Sequence, residues 1–227
     1  MINLYRVGGS VRDELMGVKS KDIDFSVEAE SFDDMRNYLL SIGAEIFLET
    51  PEYFTIRAKV PGIGPADYVL CRREGAYYDG RHPESVEPGN IYDDLARRDF
   101  TMNAIAIRQS DGMIIDPYNG QRDIQNSVIR CVRNTLDRFN EDPLRILRAL
   151  RFAITKNMIF CRDIHTFLLF NINNVDFGGV SIERKREELH KMFSTNTIRS
   201  LELIRQYDLE KMLFSDGLWL MPTLKDV

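Results

Sequence analysis

Gly8-Gly9-Ser10-Val11-Arg12-Asp13, followed shortly by Asp22-Ile23-Asp24-Phe25-Ser26-Val27, is the stretch that decides the fold. Leu4-Tyr5-Arg6-Val7 reads as a short strand, and Val11-Arg12-Asp13-Glu14-Leu15-Met16 as a short helix closed by Gly17. Gly8 and Gly9 then sit where strand gives way to helix. Without Cβ atoms they let a phosphate approach the backbone, where free N–H groups favour an anion. Arg12, in the first helical turn, adds a charged fork to the same phosphate. Side chains alternate along a strand, so Asp22 and Asp24 project to one side while Ile23 and Phe25 point into a core. Two adjacent carboxylates repel unless a cation lies between them, and Mg²⁺ is commonly shared between one or two carboxylates and substrate phosphates. A lone D-x-D is also what a solvated acidic edge looks like, and a lone glycine pair what a plain turn needs. Glycine pair, arginine and D-x-D in so short a span together point to a nucleoside triphosphate site.

The 227 residues, 44% of them hydrophobic, suffice for one sizeable domain or two small ones. The sequence contains no apolar run long enough to span a bilayer, and Met1–Arg6 does not resemble a signal peptide. The expected compartment is the cytosol, with no membrane association; nothing identifies a protein partner. Cys71, Cys131 and Cys161 are widely spaced and form no C-x-x-C, so neither a disulfide framework nor a zinc site is indicated. His82, His165 and His190 are equally scattered. A net charge of −5 argues against a generic nucleic-acid coat protein. It leaves room for a nucleic-acid enzyme, because arginines cluster at 72–81, 97–98 and 130–151.

Up to about residue 133 short strand patterns alternate with turns: Asp22–Val27, Ala44–Glu49, Tyr53–Val60, Asp67–Arg72 and Asn103–Ile107, with a helix near Ser31–Ser41. Pro61-Gly62-Ile63-Gly64-Pro65 is expected to turn one strand into the next. From about residue 134 helical periodicity takes over, through Asp142–Thr155, Ile182–Phe193 and Thr197–Leu213. The expectation is an α+β head over 1–133 followed by an all-helical segment over 134–227. Arg72–Asn90 is long, polar and glycine-containing, which suits either a functional loop beside the active strand or a surface excursion.

Three further constellations carry chemistry. Asp67, in Ala66-Asp67-Tyr68-Val69-Leu70, would add a third carboxylate able to deprotonate a hydroxyl or hold a second metal ion, or is a surface residue after a turn. Arg97-Arg98-Asp99 couples two guanidinium groups suited to triphosphate oxygens with an acceptor for ribose hydroxyls, or is a local surface pair. In Glu141-Asp142-Pro143-Leu144-Arg145-Ile146-Leu147-Arg148-Ala149-Leu150-Arg151-Phe152, arginines recur every third residue and are expected on one broad helix face, with Asp142 a turn upstream. Asp142 as acceptor beside Arg145 as donor matches the amine and ring nitrogen shared by cytosine and adenine. Uracil and guanine would instead set a carbonyl against the Asp142 carboxylate, acceptor against acceptor, at a cost on the order of 1–3 kcal/mol per unpaired group. A side-chain pair would then serve as the template.

With these residues the chain resembles the class II CCA-adding tRNA nucleotidyltransferases and the similar bacterial poly(A) polymerases, of the polymerase-beta-like superfamily. The matching stretches are Gly8–Asp13, Lys21–Phe25, Arg97–Ala106, Ile115-Asp116-Pro117-Tyr118-Asn119-Gly120, Glu141–Phe152 and Ser181–Glu188, in family order. The resemblance implies a nucleotidyltransferase head, a small mixed sheet with helices, followed by a helical neck and a truncated body. It implies that Asp22 and Asp24 bind two catalytic Mg²⁺ ions, and that Gly8, Gly9, Arg12, Arg98, Arg148 and Arg151 contact the nucleotide. By the same resemblance Arg98 and Asp99 lie near the ribose, Asp142 and Arg145 read the base, and Arg72–Asn90 is the loop that helps the switch from C to A addition. The implied substrates are CTP, ATP and the tRNA 3′ end. The alternatives are a poly(A) polymerase, an enzyme adding only CC or A, and a non-catalytic nucleotide- or RNA-binding module. Family members continue through further helices that grip the tRNA elbow, whereas this chain stops at Val227, so a compact version or a fragment is expected.

Overall fold

Leu4 and Tyr5 turn to opposite faces of the first strand, and the two hydrophobic layers of the N-terminal unit follow from that alternation. The computed structural model describes residues 2–20, 22–74, 86–210 and 213. Their contacts divide into one unit of 2–74, 86–126 and Arg130–Arg133, and another of Ser127–Ile129 with the residues from Asn134 onward.

In the first unit the order is β1 (Asn3–Val7), α1 (Gly9–Leu15), β2 (Asp24–Glu28), α2 (Phe32–Ser41), β3 (Glu45–Thr50), β4 (Thr55–Val60), β5 (Gly64–Leu70), β6 (Arg72–Glu74), β7 (Val86–Pro88), α3 (Ile91–Ala96), a 3-10 turn (Thr101–Asn103), β8 (Ala106–Arg108), β9 (Ile114–Ile115) and α4 (Gly120–Gln125). A seven-stranded sheet runs β3-β4-β5-β2-β1-β8-β9. β2 and β5 are parallel; the other neighbours are antiparallel. β6 and β7 pair separately, flanking residues 75–85, so most of the expected loop lies outside the described residues.

One sheet face packs Leu4, Phe25, Val27, Ile56 and Tyr68 against Met35 and Leu39, one turn apart on α2. The N-cap Ser31, whose side chain accepts from the Asp34 amide, starts that helix where its apolar stripe begins. Phe25 and Tyr68 stack with ring centroids 5.1 Å apart. Each wholly buried apolar side chain contributes roughly 1.5–3 kcal/mol. The other face packs Tyr5, Val7, Ala104 and Ala106 with Ile91 and Leu95 of α3. This second face carries the candidate site, because Asp24 and Ser26 alternate with Phe25 and Val27.

The strand expected from Asp22 begins at Asp24 instead. The strand expected over Asn103–Ile107 divides into the 3-10 turn and β8, because Thr101–Asn103 is braced from outside. Thr101 Oγ1 donates to buried Asp123 (2.7 Å), which also binds Arg130. Gly120 comes so close that an added Cβ would stand 2.1 Å from the Thr101 carbonyl oxygen. Asp116 holds that approach by accepting from the Gly120 and Gln121 amides at 2.7 and 2.9 Å. The Ile115–Gly120 motif is thus a brace for the turn that carries Asn103.

The second unit holds β10 (Val128–Ile129), α5 (Thr135–Glu141), α6 (Leu144–Thr155), β11 (Ile159–Phe160), α7 (Arg162–Phe170), α8 (Ile182–Thr195) and α9 (Thr197–Gln206). It is not wholly helical, since β10 and β11 form a short parallel pair. Phe139 and Phe167 meet edge to face at 4.9 Å, and α6 packs chiefly on α8. Among the described residues no helix is long and apolar enough to cross a membrane.

Candidate active site

Register places the acids of the first unit. Asp24 is the cross-strand partner of Asp67 on parallel β5, and Asp67 of Arg57 on β4. Asp67 meets Arg57 at 3.5 Å. Asp22 lies exposed in the segment leading into β2, close enough for its charge to act on Asp24. The Asp24 pKa is raised: burial is the largest cause, Arg98 opposes it, and Asp67 and Asp22 add to it. This is a set of hard oxygen donors whose mutual repulsion a divalent cation would relieve. Among the described residues no three His, Cys, Asp or Glu side chains gather closely enough to hold a metal by themselves. Mg²⁺ characteristically completes its shell with water and substrate phosphates rather than with an all-protein cage.

The glycine turn stands over this set. Gly8 has φ 69° and ψ −136°, a region that side chains avoid. A Cβ there would lie 3.1 Å from Arg98 Nη1 and 3.7 Å from Asp24 Oδ2, whereas one at Gly9 would lie 3.5 Å from Arg12 Nη2. Glycine therefore lets backbone, two arginines and a carboxylate converge. Arg12, largely buried, donates through Nη1 to Asn103 Oδ1 (2.7 Å) and through Nε to Asp13 (2.9 Å). Asn103 donates in turn to Asp99 Oδ1 (2.9 Å), which also accepts the Phe100 amide (2.7 Å).

Arg98 is held by Asp94, wholly buried on α3. Burial would raise the Asp94 pKa, but the charges of Arg98 and Arg97, with bonds from Arg98 and Ser26, hold the carboxyl well below the usual carboxylate range. Asp94, Ser26 and Asn103 had no role in the sequence reading. For Asp94 a signal existed: it precedes Arg97 and Arg98 by three and four residues, the spacing of ion pairs on one helix face. Asn103 gave no local signal, because its partner Arg12 is 91 residues away.

In the second unit Asp142 ends α5 and accepts the Leu144 amide at 3.0 Å, with Arg184 of α8 at 3.6 Å. Arg145 donates through Nη1 to the Arg138 carbonyl (3.0 Å) and to Glu141 (2.8 Å) and is largely buried. Arg148 and Arg151 turn instead toward buried Glu188 of α8, and Arg151 also lies 3.9 Å over the Phe152 ring. The broad arginine face expected from the sequence is thus shared between two carboxylates, Glu141 at one edge and Glu188 at the other. Each three-residue step falls about 60° short of a full turn, so Arg145 and Arg151 stand about 120° apart.

Residues 4–130 match the family described as the poly A polymerase head domain. The chain is 34% identical over 189 residues to the CCA-adding enzyme of Ligilactobacillus salivarius, covering 83% of this chain and 45% of that one. It is 37% identical over 175 residues to the A-adding tRNA nucleotidyltransferase of Aquifex aeolicus, covering 76% and 21% respectively. Among solved structures, a tRNA nucleotidyltransferase complexed with a primer tRNA and an incoming ATP analog matches with a TM-score of 0.78 and 32% identity, over 96% of this chain and 61% of that one. The Bacillus stearothermophilus CCA-adding enzyme in complex with CTP matches with a TM-score of 0.75 and 29% identity, over 90% and 48%. The chain spans less than half the length of these curated relatives.

Proposed function

This chain belongs to the poly(A) polymerase head-domain family, and on that premise we propose that it is a template-independent tRNA nucleotidyltransferase, adding CMP and AMP from CTP and ATP to a tRNA 3′ end in the cytosol. The observation that carries the reading is the register of Asp24 with Asp67 on the sheet face where Arg98 meets the Gly8 turn. On this reading residues 1–133 would serve as the catalytic head and 134–227 as the neck and body.

Asp22 and Asp24 would hold two Mg²⁺ ions, which when bound supply activation of the primer hydroxyl and neutralisation of the leaving pyrophosphate. Arg98 and Arg12, aimed by their buried partners at the glycine turn, bind and orient the triphosphate. Asp99 accepts from the ribose. Asp67, its charge shared with Arg57, accepts a hydrogen bond from the primer 3′-hydroxyl and helps take its proton. In-line displacement at the α-phosphorus needs no covalent enzyme intermediate, so positioning and charge carry the step. In the helical part, Asp142 accepts from the exocyclic amine of cytosine or adenine and Arg145 donates to the ring nitrogen. Arg148 and Arg151, whose guanidinium groups Glu188 holds, would contact the nucleotide as the family resemblance implies.

The test is to incubate a tRNA lacking CCA with CTP and ATP and sequence its 3′ ends. Ordered C, C and A additions with pyrophosphate release are expected. A homopolymeric A tail on any RNA would assign a poly(A) polymerase. Absence of pyrophosphate release would leave a non-catalytic binding module. The similarity to an A-adding enzyme favours addition of A alone as the second reading, recognised by extension only of tRNA already ending in CC.

A further inference from the structure

Asp94 is wholly buried, and none of the groups assigned above to the nucleotide includes it. Its oxygens are divided between consecutive arginines. Oδ1 accepts from Arg97 Nε and Nη2, at 2.9 and 2.7 Å. Oδ2 accepts from Arg98 Nη2 at 2.9 Å and Nε at 3.3 Å, and from Ser26 Oγ at 2.8 Å. Arg98 Nη2 also reaches Ser26 Oγ, at 3.3 Å. Ser26 stands two residues beyond Asp24 on the same strand face, so the carboxylate ties α3 to the strand that carries the acids.

The effect on Arg98 is directional. Its Nε and Nη2 edge is taken by Asp94 and Ser26. Nη1, which donates to the Asn103 carbonyl at 3.4 Å, lies beside the Gly8 turn, 3.1 Å from where a Cβ would stand. We infer that Asp94 is a positioning residue for the incoming triphosphate: by clamping the inner edge of Arg98 it keeps Nη1 aimed past Gly8 toward the acids. The inference rests on the reading of Arg98 as a nucleotide-binding group. A guanidinium already clamped has little freedom left to lose when a phosphate arrives, and preorganisation of that kind strengthens binding without adding a contact to the ligand.

Side-chain chemistry selects aspartate for the task. A carboxylate is acceptor-only, so both oxygens can face arginine donors at once; an amide of the same shape turns N–H donors toward one of the two arginines. Asp94→Asn therefore keeps the volume and breaks the clamp. A residue serving stability alone would lower the melting temperature without acting through Arg98.

The experiment measures equilibrium binding of CTP and of ATP, each with Mg²⁺, to the whole chain and to Asp94→Asn, Arg98→Ala and the double variant, with thermal melts alongside. Asp94→Asn is expected to weaken binding about tenfold, the cost of immobilising the released Arg98 side chain each time a phosphate arrives. In the Arg98→Ala background it should add less than about twofold, because the group through which it acts is gone. Unchanged binding by Asp94→Asn, or a full tenfold loss on top of Arg98→Ala, overturns the inference. If Asp94→Asn does not fold, Ser26→Ala takes its place. It removes one bond to each of Asp94 and Arg98, and about a threefold loss that disappears in the Arg98→Ala background is expected; no loss overturns the inference. A wild-type chain that binds neither nucleotide removes the underlying nucleotide reading and the inference with it, a result distinct from a variant that binds as well as wild type.

Discussion

Replacing Gly8 by alanine tests the convergence at the head of α1 with a single methyl group. At φ 69° and ψ −136° an alanine is strained whatever its neighbours, at roughly 1–3 kcal/mol. For a chain of this size each kcal/mol lowers the melting temperature by about 2–4 °C, so a loss of roughly 2–12 °C is expected. The methyl would also meet Arg98 Nη1 at 3.1 Å, a separation that requires the guanidinium to give by a few tenths of an ångström. Arg98 has little room to do so, because Asp94 and Ser26 hold its other edge. Displacement that costs the charge-assisted contact with a phosphate, about 1.5–3 kcal/mol, weakens triphosphate binding by roughly tenfold to a hundredfold. Gly17→Ala is the control. Gly17 has φ 71°, and nothing lies within 4 Å of its added Cβ. It should lose stability and retain nucleotide affinity. Thermal melts and titration with CTP and ATP measure both quantities. The reasoning fails if Gly8→Ala binds nucleotide as well as wild type, or if Gly17→Ala loses as much affinity as Gly8→Ala.

Asp24→Asn should abolish nucleotide transfer while raising the melting temperature at neutral pH. The folded-state pKa of Asp24 is raised, by burial first and by Asp67 and Asp22 besides. Its ionised form therefore costs stability, progressively as pH rises from the unfolded toward the folded pKa and in full above it, and the variant should flatten that part of a stability–pH profile. Removing Glu188 as alanine leaves Arg148 and Arg151 without their shared carboxylate. A destabilisation toward the lower end of roughly 3–5 kcal/mol is expected by denaturant titration, since Arg148 keeps some access to water. Asp142→Ala or Arg145→Ala should relax the choice among four nucleotides more than it slows transfer; equal losses for all four would dismiss side-chain reading of the base. Tyr68→Phe should be neutral or stabilising by up to about 1 kcal/mol, because the buried Tyr68 hydroxyl has no hydrogen-bond partner among the described residues.

Where the sequence was legible, the reason was local. The glycine turn, α2 and the turn at Pro61–Ile63 each announce themselves within a few residues. Asp67 reads from sequence alone either as a third carboxylate or as a surface residue, because its pairing with Asp24 is a register fact that no stretch of β5 alone contains. Asn103 sat inside what reads as a strand, and its 3-10 geometry is imposed by Gly120 and Asp123 from elsewhere in the chain. The arginines of α6 show the opposite limit. Their spacing is plain, but which neighbour each one meets depends on Glu141 at the end of α5 and Glu188 on α8. Short helices such as α3 and α4 went unread because six residues carry too little periodicity to stand out from a loop.

The pairing of β2 with β5 makes correct folding and correct chemistry inseparable. Sliding β5 by one position would swing Asp67 into the oily layer occupied by Phe25 and bring Tyr68 out beside Asp24. Such a mispaired molecule would forfeit its aromatic stack and bury a bare acid at once, so it has no stable form in which to persist as an inert imposter. A chain built on this ladder needs no separate check on its acids: molecules that hold together hold them in place.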